Sequence, residues 1–110
     1  MGYFVSKNNV KGTQKEGHIS YPMLDANNGC KAGFCSGITF YTCTEYSPPG
    51  RHDDQEGFIV IEGKGWAKVD NEEFRLKPDV CFIAPAGIAH SIKRDPDSKY
   101  VKVCWFHGAI

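Results

Sequence analysis

Two histidines and one glutamate are the residues of this chain best suited to hold a metal ion. His52 and Glu56 are four residues apart before an apolar run, and His90 follows a Pro-x-Gly turn later in the chain. Imidazole nitrogens with a carboxylate oxygen suit iron, manganese, nickel, copper or zinc better than calcium. Three such ligands on adjoining strands leave the other side of the ion open. The spacing therefore predicts a divalent-metal site at His52, Glu56 and His90.

Strand periodicity places the glutamate in an unusual environment. Alternate residues of a strand share one face, so Glu56 lies on the same face as Phe58 and Val60. If that face lines the interior, a carboxylate is buried among apolar groups, and it needs a cation, a hydrogen-bond donor or a proton. A buried carboxylate beside two histidines is consistent with a metal ligand.

The elements that must position these residues are predicted to be β-strands. Apolar and polar residues alternate along most of the chain, and the helical period is nearly absent. Residues 62–65 predict one hairpin, and Asp70 with Asn71 predicts a second. Short strands with turn signals every eight to twelve residues predict an all-β sandwich or barrel. The predicted strands are residues 38–43, 58–61, 66–69, 72–76, 80–84 and 100–106.

The chain predicts a single domain in two parts. With 110 residues it is long enough for one core. Residues 18–23 predict an edge strand, and residues 25–37 are rich in Gly and Asn and predict a loop. We therefore expect residues 1–35 to supply N-terminal strands and a loop that pack on a barrel formed by residues 36–110.

Composition argues against several classes of partner and location. Lys plus Arg number 13 and Asp plus Glu number 13, so no net field favours nucleic acid or an acidic membrane. The apolar runs are too short to span a membrane, and the N-terminus shows no leader pattern. Five cysteines with no C-x-x-C pair predict reduced thiols rather than a structural zinc site. These features predict a cytoplasmic protein without a nucleic-acid or membrane partner.

The region from residue 36 to residue 106 resembles the cupin superfamily. The first motif of this family contains a glycine, two histidines, a glutamate and a second glycine. The second motif contains a glycine, a proline, another glycine, a histidine and an asparagine. The positions that match in register are His52, Glu56, Gly63, Pro85, Gly87 and His90. Thr44, Asp79 and Arg94 replace two glycines and the asparagine, which mostly affects turns. Gly50 stands where the first histidine is expected.

The resemblance implies a double-stranded β-helix, the cupin or jelly-roll barrel, which is commonly a homodimer with a metal near one mouth. Such metals are often iron, manganese, nickel, zinc or copper. Gly50 removes one of four family ligands, and the remaining three resemble the two-His-one-carboxylate set of non-haem iron oxygenases. Asp53, Asp54 or Gln55 could supply a compensating oxygen.

The remaining histidines, Arg51 and the aromatic residues are predicted to have structural or substrate-pocket positions. His18 is predicted to be a surface or strand residue, and His107 a solvated residue beyond the last strand. Arg51 could pair with a substrate carboxylate or phosphate, or be a solvated loop cation. Aromatic residues are predicted to fill the barrel, namely Phe40, Tyr41, Trp66 and Trp105. The predicted substrate-pocket residues are Arg51, Tyr41, Phe58 and Trp66.

Two main hypotheses for function follow. The first is a metalloenzyme of dioxygenase, isomerase or lyase type that acts on a small polar organic molecule. The second is a non-catalytic small-molecule-binding or sensor cupin with a degenerate metal site. A storage or structural barrel is a third alternative. The fold supports all these chemistries, so fold resemblance does not choose between them.

Overall fold

The computed structural model describes residues 2–108, and its regular secondary structure is almost entirely β-strand. Two short 3₁₀ turns, Lys7–Asn9 and Ala26–Asn28, interrupt the N-terminal part. The strands are β1 (Thr13–Lys15), β2 (His18–Leu24), β3 (Cys35–Tyr41), β4 (Gln55–Gly63), β5 (Gly65–Val69), β6 (Glu72–Leu76), β7 (Cys81–Ala84), β8 (His90–Arg94) and β9 (Val101–Gly108).

Within residues 2–108, the strands form two antiparallel sheets. The larger has the order β1-β2-β3-β9-β4-β7, and the smaller has the order β6-β5-β8. Both sheets bury alternate side chains, and the buried faces share one apolar cluster. The fold is the jelly-roll barrel that the resemblance implied, and it agrees with the sandwich or barrel predicted from the strand pattern.

The hairpin predicted at residues 62–65 is wrong. Strand β4 pairs with β7 and β9, so neither edge is free for β5, which lies in the other sheet. The chain therefore crosses between sheets here. Gly63 makes the crossing with φ of +92°, and a Cβ at this position would collide with the carbonyl oxygen of Tyr100. The predicted hairpin at Asp70 and Asn71 is confirmed by the pairing of β5 with β6.

The core follows the period of the strands. Fully buried side chains come from alternate positions of β4 and β9 together with one residue of β6: Phe58, Val60, Val101, Val103 and Leu76. Phe58 stacks on Phe82 with ring centroids 4.5 Å apart. Phe40 and Trp66 do not fill the barrel as predicted, because their inward-facing neighbours are Thr39 and Ala67. By strand alternation, both aromatic rings lie on outer faces.

The N-terminal part completes the larger sheet. β2 is not an edge strand as predicted, because β1 pairs with its outer side and β3 with its inner side. Residues 25–34 form the connection to β3, which begins at Cys35. Met1 and residues 109–110, the ends of the two predicted parts, lie outside the described residues. In the described part of the chain, no helix is long and apolar enough to cross a membrane.

Candidate metal centre

Three segments bring the predicted metal ligands together. Glu56 is near the start of β4, and His90 is the first residue of β8. Gly50 and His90 exchange two backbone hydrogen bonds, of 2.8 and 3.0 Å, which fix the loop before β4 against β8. The N–H of Gly87 donates to the carbonyl of His52 at 2.7 Å, so the Pro-x-Gly turn also holds this loop.

The geometry of the three side chains suits a metal ion. Oε1 of Glu56 lies 3.1 Å from Nε2 of His52 and 3.4 Å from Nε2 of His90. One ligand atom from each residue lies within 4.8 Å of the others. Ligands bound at about 2.1 Å to one ion lie about 3 to 3.5 Å apart, so only small shifts are required. The donor set therefore fits a divalent transition metal.

The Glu56 carboxylate is buried, and histidine nitrogens lie close to both of its oxygens. Its side chain is 8 % exposed, against 10 % for His90 and 41 % for His52. Its second oxygen, Oε2, lies 3.2 Å from Nε2 of His107. Three histidines therefore surround one carboxylate, which meets its need for donors or a cation.

His107 is the residue that sequence reasoning missed. It was predicted to be solvated beyond the last strand, but β9 continues through Gly108 and the His107 side chain is only 15 % exposed. Its Nδ1 lies 3.1 Å from both carboxylate oxygens of Asp54. The alternation of Val101, Val103 and Trp105, extended by one step, places position 107 on the inner face. That signal was present in the sequence.

Gly50 stands at the position where the family has its first histidine ligand. A Cβ built on Gly50 would lie 3.3 Å from Nε2 of His90 and 4.0 Å from Nε2 of His52. A longer side chain from this position would therefore project into the ligand group. The glycine instead leaves space beside the two imidazoles.

Two of the substituted motif positions preserve local structure. Asp79, which replaces a glycine, has a φ of +79°, a conformation that glycine adopts readily and aspartate tolerates. Arg94, which replaces the asparagine, donates to the carbonyls of Thr42, Asp95, Pro96 and Ser98. Arg94 thereby holds the neighbouring loop segments together, while Asp79 keeps the turn conformation that glycine would adopt.

A cavity of about 250 Å³ adjoins the metal-ligand group. Tyr41 lines it, as do all three predicted ligands and His107. Phe58 lies in the core behind it, with its ring centroid 5.7 Å from that of His90. Arg51 and Trp66, the other predicted pocket residues, do not line this cavity.

Burial perturbs several titratable groups around the barrel. It raises the pKa of the Tyr41 phenol, and the nearby Glu56 charge adds to the effect. Burial also raises the pKa of the Cys104 thiol, and it is the first cause of the raised pKa of Cys35. These thiols therefore have little thiolate character, and neither is a candidate nucleophile.

Family comparison agrees with the fold and the motifs. The family model described as a cupin domain matches residues 41–107. A barrel of this topology with an inward-facing His and Glu group is a cupin, and the chain belongs to the cupin domain family. No curated protein sequence matches it.

Solved structures with the same fold have low sequence identity. The cupin domain of Cnp3 from Schizosaccharomyces pombe has a TM-score of 0.75 at 22 % identity, covering 96 % of this chain and 68 % of that one. The polyketide cyclase RemF from Streptomyces resistomycificus has a TM-score of 0.78 at 15 % identity, covering 94 % and 76 %. Fe(II)-HppE with an alternative substrate has a TM-score of 0.79 at 8 % identity, covering 94 % and 58 %.

Proposed function

We propose that this protein binds a divalent metal through His52, Glu56 and His90 and acts on a small polar organic molecule. The observation that carries the proposal is the convergence of three ligand atoms within 4.8 Å beside a cavity of about 250 Å³. A molecule held in that cavity would be in reach of the ligand group. The fold shared with RemF and Fe(II)-HppE, an enzyme and an iron-bound protein by their names, supports the same reading.

Several residues of the chain would have distinct roles around such an ion. When bound, the metal supplies polarisation of a carbonyl or carboxylate oxygen, or activation of dioxygen if it is redox-active. Glu56 would face it with Oε1 while His107 contacts Oε2. Gly50 leaves the space beside His52 and His90 open for an oxygen atom of the substrate. Dioxygenase, isomerase and lyase chemistry all fit this arrangement.

Metal analysis tests the proposal directly. We expect about one divalent ion per chain in protein purified without chelators, and a large loss in His90→Ala. His18→Ala is the matched control, because His18 lines the same cavity without belonging to the ligand group. Equal metal content in the unmodified protein and His90→Ala would overturn the metal proposal.

A non-catalytic binding or sensor role is the second candidate. It is favoured by the contacts of Glu56, whose two oxygens already lie within 3.4 Å of histidine nitrogens. Such a carboxylate is satisfied without an ion, as a degenerate site would require. Ligand-induced thermal stabilisation that is unchanged by chelator treatment would favour this role over the metalloenzyme.

Homodimer formation and a cytoplasmic location stay predictions. Exposed apolar side chains on the outer side of the larger sheet, such as Ile59, Ile83 and Phe106, are available for an interface. Sedimentation of the purified protein would test the dimer, and a monomer at micromolar concentration would contradict it.

A further inference from the structure

The cavity is also lined by a second cluster of polar residues, which has no part in the proposed metal site. Lys15 lies opposite His18 in the pairing of β1 with β2, and His18 lies opposite Tyr41 in the pairing of β2 with β3. Directly paired residues of antiparallel strands project from the same face, and all three line the cavity. The rings of His18 and Tyr41 have centroids 5.4 Å apart. We call these three residues the Lys15–His18–Tyr41 wall.

The histidine of this wall has an unused ring nitrogen. Within residues 2–108, Nδ1 of His18 is the one buried side-chain nitrogen or oxygen without a hydrogen-bond partner. Leaving such an atom unpaired is costly. Because water does not reach Nδ1, a ligand in the cavity would contact the other atoms of the ring. Burial, and next the Lys15 charge, lower the pKa of His18. The neutral ring can either donate to a ligand or accept from one.

A chain of hydrogen bonds adds a further donor to the same side of the cavity. The indole N–H of Trp105 donates to Oγ1 of Thr39 at 2.8 Å. The Thr39 hydroxyl donates to Oγ of Ser20 at 3.1 Å. When Thr39 donates in this way, the Ser20 oxygen accepts and the Ser20 O–H is left to donate onward. Ser20 also lines the cavity.

The charges around the cavity favour an anion. Lys15 is the one Lys or Arg that lines it, and within the described residues its ammonium forms no ion pair. Among residues 2–108, Glu56 is the one carboxylate that lines the cavity, and histidines contact both of its oxygens. Tyr41 keeps its proton because burial raises its phenol pKa. An ammonium and neutral hydroxyl donors therefore remain for a ligand.

We propose that the Lys15–His18–Tyr41 wall, with Ser20, binds the carboxylate of a small organic acid. An ammonium beside hydroxyl donors matches the acceptor oxygens of a carboxylate. A cavity of about 250 Å³ is at the small end of ligand pockets, so the acid is small. A second oxygen group of the same molecule points toward His52, Glu56 and His90. That second contact rests on the proposed function, whereas the carboxylate contact does not.

Calorimetry with linear dicarboxylates tests this inference. The probes are malonate, succinate, glutarate and adipate, with pentane-1,5-diol as the neutral analogue of glutarate. At least one dicarboxylate should bind, and the diol should bind at least about tenfold more weakly, the loss expected when charge-assisted hydrogen bonds are removed. Lys15→Gln should weaken dicarboxylate binding by a similar factor. Lys11→Gln, an exposed lysine outside the cavity, is the control and should bind as the unmodified protein does.

Each outcome separates this inference from the metal proposal. Lys15-dependent binding that survives chelation supports the carboxylate wall even if metal analysis finds no ion. Failure of every dicarboxylate to bind metal-loaded protein overturns the wall and leaves the metal site standing. Equal binding of glutarate and the diol, or equal binding by Lys15→Gln and the unmodified protein, also overturns the inference.

Discussion

The Nε2 atom of His107 lies 3.2 Å from Oε2 of Glu56, while Oε1 of the same carboxylate faces His52 and His90. Nδ1 of His107 in turn lies 3.1 Å from the carboxylate of Asp54. The His107 ring therefore bridges two carboxylates and holds one of them against the ligand histidines. A partner of this kind fixes the orientation of a metal ligand, so we expect His107 to act as a positioning residue for Glu56 if the proposed metal binds.

Replacing His107 by Phe should weaken metal binding without unfolding the barrel. The Phe ring has a similar size but cannot contact Oε2 of Glu56 or the Asp54 carboxylate. Loss of such an orienting contact typically reduces metal affinity by about 10- to 100-fold. Competition with a coloured chelator measures the affinity, and thermal unfolding of the metal-free proteins reports separately on folding.

Neighbouring aspartates provide the matched controls for this experiment. Asp54→Asn should weaken metal binding in the same direction as His107→Phe, because it loosens the same bridge. Asp53→Asn changes an exposed side chain next to it and should leave affinity unchanged. If His107→Phe binds metal as tightly as the unmodified protein, His107 has no positioning role.

Gly50→His should tighten metal binding by restoring a fourth protein ligand, a third imidazole beside His52, His90 and the Glu56 carboxylate. Gly50 does not have a positive φ, so a side chain is compatible with its backbone. Its Cβ would lie 3.3 Å from Nε2 of His90, so the His90 ring must move slightly. We expect an affinity gain of about tenfold, equivalent to about 1.4 kcal/mol. Chelator competition measures the gain, and Gly50→Ala controls for the added Cβ. Equal affinities of the His and Ala variants would contradict the prediction.

The fold could be predicted because strand period and turn residues agree along the chain. The alternation in residues 100–106 placed Val101 and Val103 in the core, where both are fully buried. The motif positions also predicted that His52, Glu56 and His90 would meet, and the structure brings them together. The alternation is a local pattern that needs no knowledge of which strands pair, whereas the meeting of Glu56 and His90 was predicted from the resemblance to the cupin motifs.

What the sequence did not predict depends on long-range pairing. Residues 62–65 look like a hairpin turn, but β4 is already paired on both edges, so the chain crosses to the other sheet. Alternation shows which side chains share a face, but only the sheet partners decide which face lies inside, which is why Trp66 was misplaced. His107 was missed because β9 was predicted to end at Phe106.

Phe58→Ala should strongly destabilise the barrel. The side chain is fully buried and stacks on Phe82, so its removal leaves a cavity behind the metal-ligand group. Such truncations cost about 3–5 kcal/mol in the free energy of unfolding. Urea unfolding measures the loss. Ile59→Ala, from the adjacent outward-facing position that is 38 % exposed, is the control and should cost about 1 kcal/mol or less. Similar losses for the two variants would contradict the assigned strand faces.

His18 should make the stability of the protein depend on pH below neutrality. Its pKa in the folded protein is lowered from 6.5, first by burial and then by the charge of Lys15. Below pH 6.5 the unfolded chain therefore takes up a proton on His18 more readily than the folded protein does. Proton uptake by the unfolded state lowers the free energy of unfolding as the pH falls through this window.

His18→Gln should reduce that loss of stability. Urea unfolding of the metal-free proteins at pH values above and below 6.5 gives the change in unfolding free energy for each. The other three histidines of the chain are common to both proteins, so the difference between the two changes isolates His18. We expect the unmodified protein to lose more stability on acidification than His18→Gln, because only the unmodified protein carries the buried imidazole. Equal losses, or a larger loss in the variant, would mean that the cavity does not disfavour protonation of His18.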